Sequence, residues 1–113
     1  MRIAFDVIGS RERAVAIVEL KKGQKPKETA KEMMARYPHV KSVLAKAGPR
    51  AGVLRIYKLK LLVGSKNTVV THKEHGLFFK LDPKLMYFSP RESTERQRIA
   101  DLVKPNEKVL VLF

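Results

Sequence analysis

Ala14-Val15-Ala16-Ile17-Val18-Glu19-Leu20 decides the fold class: six of these seven residues are apolar, and they do not alternate with polar ones. A strand with one wet face alternates, so an unbroken run is expected of a strand covered on both faces. Working back, Ile3 to Ile8 reads as a strand. Gly9-Ser10 with Arg11-Glu12-Arg13 reads as a turn, so the two strands form a hairpin. Working forward, Lys21-Lys22-Gly23-Gln24-Lys25 is a loop and Pro26 fits the first turn of a helix. Ala30, Met33, Met34 and Tyr37 recur at helical spacing as a core stripe, not a cofactor box, and Pro38 stops the helix.

Val40 to Ala47 is the next expected strand, ending at Gly48-Pro49. Leu54 to Val63 follows. Its apolar face switches partway, with Leu54 and Ile56 on one side and Leu59 and Leu61 on the other. A bulge near Tyr57-Lys58 accommodates the switch and leaves Arg55 and Tyr57 facing away from the core. After a turn at Gly64-Ser65-Lys66-Asn67, Thr68 to His72 and Leu77 to Leu81 make a second hairpin around Glu74-His75-Gly76. Asp82-Pro83-Lys84 breaks the pattern. Ser93 to Val103 reads as a helix with Ile99, Leu102 and Val103 as its buried stripe, ended by Lys104-Pro105-Asn106. Lys108 to Phe113 reads as a final apolar strand. The expected class is α/β (α+β): a mixed, largely antiparallel sheet with helices packed on it, divided into residues 1–76 and 77–113.

A chain of 113 residues holds one compact domain, or a small domain and a piece of another. Its apolar residues, 44% of the total, fall in short runs, and none approaches the ~20 residues of a membrane span. Met1-Arg2-Ile3-Ala4-Phe5-Asp6 puts an acid where a signal peptide needs its apolar region. Cysteine is absent, which removes disulfides, thiolate metal sites and cysteine nucleophiles together. A cytoplasmic protein without membrane contact is expected.

Twenty-four Lys and Arg face eleven Asp and Glu, a formal charge of +13. Such an excess points to a polyanion, and its spread along the chain points to a folded basic surface, not a disordered arm. Lys46, Arg50, Lys58, Lys60 and Lys73 are candidates for RNA phosphate contact. The terminal run Val109-Leu110-Val111-Leu112-Phe113 is of the kind that sits mid-sheet with neighbours on both sides, and alone it would offer a sticky edge. A shortened chain or one half of a split pair is expected ahead of a strand that closes this domain's own sheet.

Chemistry concentrates in Tyr87-Phe88-Ser89-Pro90-Arg91-Glu92-Ser93-Thr94-Glu95-Arg96, which sets an aromatic, arginines and a carboxylate ahead of and into a helix. Arginine clamps phosphates and purine edges, and a carboxylate beside such groups can take a substrate proton. Ser89 lacks the partners of a nucleophile. His72, Glu74 and His75 lack a fourth ligand and any thiolate, so no metal is expected.

These blocks carry a resemblance. Phe5-Asp6-Val7-Ile8-Gly9, Leu54-Arg55-Ile56, Thr71-His72-Lys73-Glu74-His75-Gly76 and Tyr87-Phe88-Ser89-Pro90-Arg91 with Glu95-Arg96 come in the order found in the archaeal and eukaryotic tRNA (guanine-37-N1)-methyltransferases, and the chain resembles that family over nearly its whole length. The resemblance implies methylation of N1 of the guanosine 3′ of the tRNA anticodon, with S-adenosylmethionine as cofactor and tRNA as partner. It implies that 1–76 is an RNA-associated middle domain. It implies that 77–113 is the leading segment of a truncated Rossmann-type methyltransferase domain, whose cofactor pocket lies mostly elsewhere, in a second chain if the protein is split. Glu95 matches the family's general base and Arg55 its essential arginine. Tyr87, Pro90 and Arg91, with Arg96, match the segment that lines the substrate cleft.

N1 of guanine must lose a proton before it can accept a methyl group. Glu95 suits that task if partial burial raises its pKa. Arg55 suits stabilisation of charge developing at O6, and Tyr87 or Phe88 suits stacking on an exposed base. The chain departs from the family at Tyr57, where a second basic residue is common, and at Leu110-Val111-Leu112-Phe113, where Val-Asp-x-Phe is common. Two other readings stand beside this one. The first is a related wyosine-pathway aminocarboxypropyl transferase, expected to lack an arginine at the position of Arg91. The second is a non-enzymatic RNA-binding module.

Overall fold

The apolar run is the second strand of a four-stranded sheet, and both its faces are covered. The computed structural model describes residues 3–112. The elements are β1 (Ala4–Gly9), β2 (Ala14–Glu19), α1 (Pro26–Arg36), β3 (Val40–Ala51), β4 (Ile56–Gly64), β5 (Val70–Glu74), β6 (Leu77–Leu81), a 3-10 turn at Pro90–Glu92 and α2 (Ser93–Leu102). The strand order is β1-β2-β3-β4, with β5-β6 a separate two-stranded sheet. β1/β2 and β3/β4 pair antiparallel, whereas β2/β3 pair parallel. A parallel pair needs a long crossover, and α1 supplies it, entered through Pro26 with Glu28 in its first turn and Arg36 in its last.

Alternation along β2 divides the core in two. Ala14, Ala16 and Val18 pack with Val40, Val43 and Ala45 against Ala30 and Met33 of α1. Val15, with Ile8 and Leu44, packs the other way against Val70 and Leu81 of the β5–β6 hairpin and is flanked by Ile17, Leu59, Leu61, Phe79 and Phe88. Helix, sheet and hairpin thus form three layers. The expected mixed, largely antiparallel α+β class is what the structure has.

Two glycines are fixed by close approach. At Gly9 (φ +136°) a Cβ would stand 2.4 Å from the Arg13 carbonyl oxygen, and at Gly64 (φ +102°) 2.2 Å from that of Lys41. Both sites shut out every other residue. The hairpin turn pairs His75 (φ 49°) with Gly76 (φ 77°), the two positive values of the tight turn that suits strand twist.

Several details differ from expectation. β3 does not stop at Gly48-Pro49 but runs to Ala51. The register slips between Lys46↔Leu59 and Arg50↔Tyr57, so Ala47–Pro49 bulge opposite Lys58, where the missing N–H of Pro49 is not needed. That irregularity falls where a bulge near Tyr57-Lys58 is expected, and β4 has a second one at Leu62, the extra residue between Val63↔Val43 and Leu61↔Leu44. Leu54 and Arg55 are in the turn before β4, not on it. Ile99, Leu102 and Val103 are not a buried stripe: they are 48%, 63% and 44% exposed. Among the described residues, 108–112 form no strand, and they too are exposed. Phe113, and the Met1-Arg2 start of the leader reading, lie outside the described residues. Among the described residues no helix is long and apolar enough to cross a membrane.

Candidate RNA-facing site

The segment from Tyr87 into α2 is held by side chains that reach a long way along the chain. Asp82 accepts from the Thr68 hydroxyl (2.7 Å) and from the Lys84 amide (3.0 Å), turning the chain out of β6. Arg13 braces the connection between β4 and β5 by donating to the Val69 carbonyl (3.3 Å), to Ser65 Oγ (3.4 Å) and to the Asn67 carbonyl. Arg91 donates to Asp6 Oδ1 on β1 at 2.7 Å. Arg96 makes a bidentate pair with Glu74 (2.7 and 2.6 Å), donates to the Ser89 carbonyl (2.9 Å) and lies over the Phe88 ring at 4.4 Å. Phe88 in turn meets His72 edge-on at 4.9 Å.

The electrostatics follow from these contacts. The Arg96 hydrogen bonds hold the Glu74 carboxyl below its ordinary range, against the opposing pull of burial. The same pair raises Arg96. Burial pushes His72 below its ordinary value, a stronger effect than the nearby Glu74 carboxylate, and Arg96 adds to it. His72 is therefore a neutral ring at pH 7. Its Nδ1 accepts the Gly9 N–H at 3.1 Å, and its 3.8 Å approach to Glu74 is not an ion pair.

Acid is expected to loosen this assembly in two stages. His72 titrates near 6.5 when unfolded and lower when folded, so below pH 6.5 the unfolded chain binds the extra proton and stability falls. Glu74 contributes stability above its ordinary 4.5, and this is lost as pH drops through its lower folded value. Thermal unfolding followed from pH 8 to pH 3 should show both declines. His72→Gln, which keeps an acceptor for Gly9, should abolish the first and retain the second.

The sequence-derived candidates separate into groups. Lys46 stands over the Tyr57 ring at 4.5 Å, and Arg50 contacts both Tyr57 (5.5 Å) and Tyr87 (5.0 Å). Lys46, Tyr57 and Tyr87 line, with Phe88, Arg91 and Asp6, a cleft of about 170 Å³. Pro90, half-buried, opens the 3-10 turn beside it. Lys58 and Lys60 are exposed on β4. Lys60 shares with Lys46 a wider groove of about 620 Å³ near the start of α1. Lys73 lies on the outer side of the hairpin. Arg96 is turned inward to Glu74.

Arg55 sits in the turn at residues 52–55 with φ 52°, and its side chain has no hydrogen bond or ion pair among the described residues. Glu95 is exposed and grips Arg98 at 2.8 and 2.6 Å, a contact that lowers its pKa. The expectation of a partly buried Glu95 with a raised pKa is corrected: the first turn of α2 faces outward here, and the nearby guanidinium favours the ionised form. No hydrogen bond or ion pair joins Arg55 to Glu95 among the described residues.

Sequence reasoning missed Asp6 and Glu74 as anchors. The available signal was the inward period of Val70, His72 and Glu74, which puts two polar groups against the core, where each needs a partner. Among the described residues no group of three or more His, Asp or Glu side chains can hold a metal. The Tyr57–Tyr87 cleft is smaller than the ~300 Å³ at which small-molecule sites begin, so it does not fit S-adenosylmethionine.

A three-layered α+β module with a basic, aromatic cleft is the class of protein so defined. Residues 70–113 match the TRM5/TYW2 methyltransferase domain family. The chain is 43% identical over 82 residues to Taw22 of Nanoarchaeum equitans, named a tRNA (guanine(37)-N(1))/4-demethylwyosine(37)-methyltransferase, covering 73% of this chain and 28% of the relative. It is 33% identical over 112 residues to the tRNA (guanine(37)-N(1))-methyltransferase Trm5b of Pyrococcus abyssi, covering 97% and 33%. It is 42% identical over 82 residues to a tRNA(Phe) (4-demethylwyosine(37)-C(7)) aminocarboxypropyltransferase of Pyrococcus horikoshii, covering 73% and 29%. The solved complex of aTrm5 with tRNALeu superposes with a TM-score of 0.76 at 28% identity, over 91% of this chain and 30% of that one. The chain is thus similar to TRM5/TYW2-type methyltransferases and spans about a third of the length of the relatives it matches.

Proposed function

We propose that this chain is the RNA-gripping part of an S-adenosylmethionine-dependent enzyme that methylates N1 of the guanosine 3′ of the tRNA anticodon. The observation that carries the reading is the similarity to a guanine-37 N1-methyltransferase through 97% of the chain. In this reading residues 1–76 hold tRNA, and residues 77–113 lead into the catalytic domain. Arg55, exposed and with no side-chain partner among the described residues, meets O6 of the target guanine. Glu95 takes the N1 proton once bound RNA covers it and draws it from Arg98, because losing water and a cation both raise a carboxyl pKa. Tyr87, Pro90 and Arg91 shape the cleft beside them, and Lys46, Arg50, Lys58, Lys60 and Lys73 neutralise phosphates. Bound S-adenosylmethionine supplies the methyl group from groups outside this cleft, in a second chain or a further domain. The site of action is the cytoplasm, where the tRNA partner is met.

The purified chain should bind a tRNA transcript with strong salt dependence, about −0.7 in log–log slope per neutralised phosphate on single strands. It should neither bind S-adenosylmethionine in calorimetry nor methylate tRNA until a catalytic domain is added. Tight cofactor binding by this chain alone overturns the reading. A second reading is supported by the 42% identity to an aminocarboxypropyltransferase. Nucleoside mass spectrometry of the product made by the completed enzyme separates the two. Arg91 favours methylation, and replacing it should impair methyl transfer without creating aminocarboxypropyl transfer.

A further inference from the structure

The outer face of the β5–β6 hairpin is chemically unlike the inner one. Val70, His72 and Glu74 turn inward, so Thr71 and Lys73 face out. Their cross-strand partners on β6 are Lys80 and Phe78. Phe78 is 68% exposed, and Lys73 Nζ stands 5.7 Å from its ring centre. No ion pair among the described residues engages Lys73, Lys80 or Arg11. The face opens into a groove of about 960 Å³ that runs to the β1–β2 turn, lined among others by Arg11, Glu12, His39, Thr71, Lys73 and Phe78. Glu12 is the only acid among its lining residues. The groove shares no lining residue with the Tyr57–Tyr87 cleft.

A bare phenyl ring gains by being covered, and cations on either side select what covers it. An aromatic face flanked by lysines is how single-stranded RNA is held, with the base on the ring and phosphates at the cations. Charge complementarity favours RNA over an apolar protein segment, because docking such a segment would strip water from Lys73, Lys80 and Arg11 without offering them partners. We propose that Phe78 is a stacking platform for one unpaired nucleotide of the tRNA, outside the target-base cleft, with Lys73, Lys80 and Arg11 on the flanking phosphates. This rests on the RNA-binding reading above.

The test titrates the intact chain against two probes, a tRNA transcript and a short single-stranded RNA containing 2-aminopurine. Phe78→Leu keeps an apolar side chain but loses the ring. It should weaken single-strand binding roughly five- to 150-fold, the worth of one base–aromatic stack, and remove 2-aminopurine quenching while leaving the salt slope unchanged. Phe78→Tyr should restore both. Lys73→Gln and Lys80→Gln should each lower the salt slope by about 0.7. If tRNA binds but Phe78→Leu matches the parent in affinity and quenching, the platform is wrong and the general reading survives. If Phe78→Leu instead changes only self-association, the ring is a protein contact and the proposal falls. If neither RNA binds the parent chain, both fall.

Discussion

Replacing Arg96 by alanine is expected to lower the unfolding free energy by about 3 kcal/mol. The guanidinium is the bidentate partner of Glu74, whose side chain is only 7% exposed. Removing one member of such a pair strands the other without a counter-charge, which costs about 3–5 kcal/mol when burial is complete. Arg96 itself is 32% exposed, so the lower end applies. The variant also removes the donor to the Ser89 carbonyl and the cation over Phe88. Urea denaturation measures the loss. The double variant Glu74→Gln/Arg96→Met should be more stable than Arg96→Ala, since no orphaned charge remains. A single variant within about 0.5 kcal/mol of the parent would mean that the pair holds nothing in place.

Glu95→Gln, in the enzyme completed with a catalytic domain, is expected to lower kcat by roughly 10²- to 10⁴-fold, the usual contribution of a positioned general base. Affinity for tRNA should change little, because Glu95 is exposed and bonded only to its neighbour Arg98. The pH profile supplies a second check. Arg98 holds the Glu95 carboxyl down in the free protein. Arg98→Gln should therefore move the acid limb of kcat/KM, which reports the free enzyme, to higher pH. A profile that stays put, or a Glu95→Gln enzyme of near-normal rate, would remove Glu95 from the base role.

Local signals carried the fold. β2 was recognisable because its two covered faces leave no alternation, α1 because Pro26 and the Ala30–Met33–Tyr37 spacing agree, and the second hairpin because His75-Gly76 can take two positive φ values. The irregularity opposite Lys58 is legible as a change of face, but the second one, at Leu62, is not. A bulge is set by which cross-strand partner a residue meets, and Leu62 meets its surroundings only once β3 is beside it. The α2 stripe shows the limit of periodicity: a pattern says which side would be buried, not that something is there to bury it.

The site was harder to read for the same reason. Arg91 and Asp6 are 85 residues apart in sequence, and Arg96 and Glu74 22 apart. Nothing local distinguishes an arginine committed to a buried carboxylate from one free for RNA. Arg96 and Arg55 look alike as letters, yet one is locked inward and the side chain of the other has no partner among the described residues. Lys46, Arg50 and Tyr87 come together only through the β3 bulge, which carries the end of that strand towards the segment after β6.

That cluster also gives the chain an optical property. It has three tyrosines and no tryptophan. Tyr37 packs against Phe5 on the α1 side, while Tyr57 and Tyr87 both lie under the Arg50 guanidinium. Two of the three natural fluorophores therefore report from one place. Whatever displaces that guanidinium will announce itself in the ultraviolet emission of the unlabelled molecule.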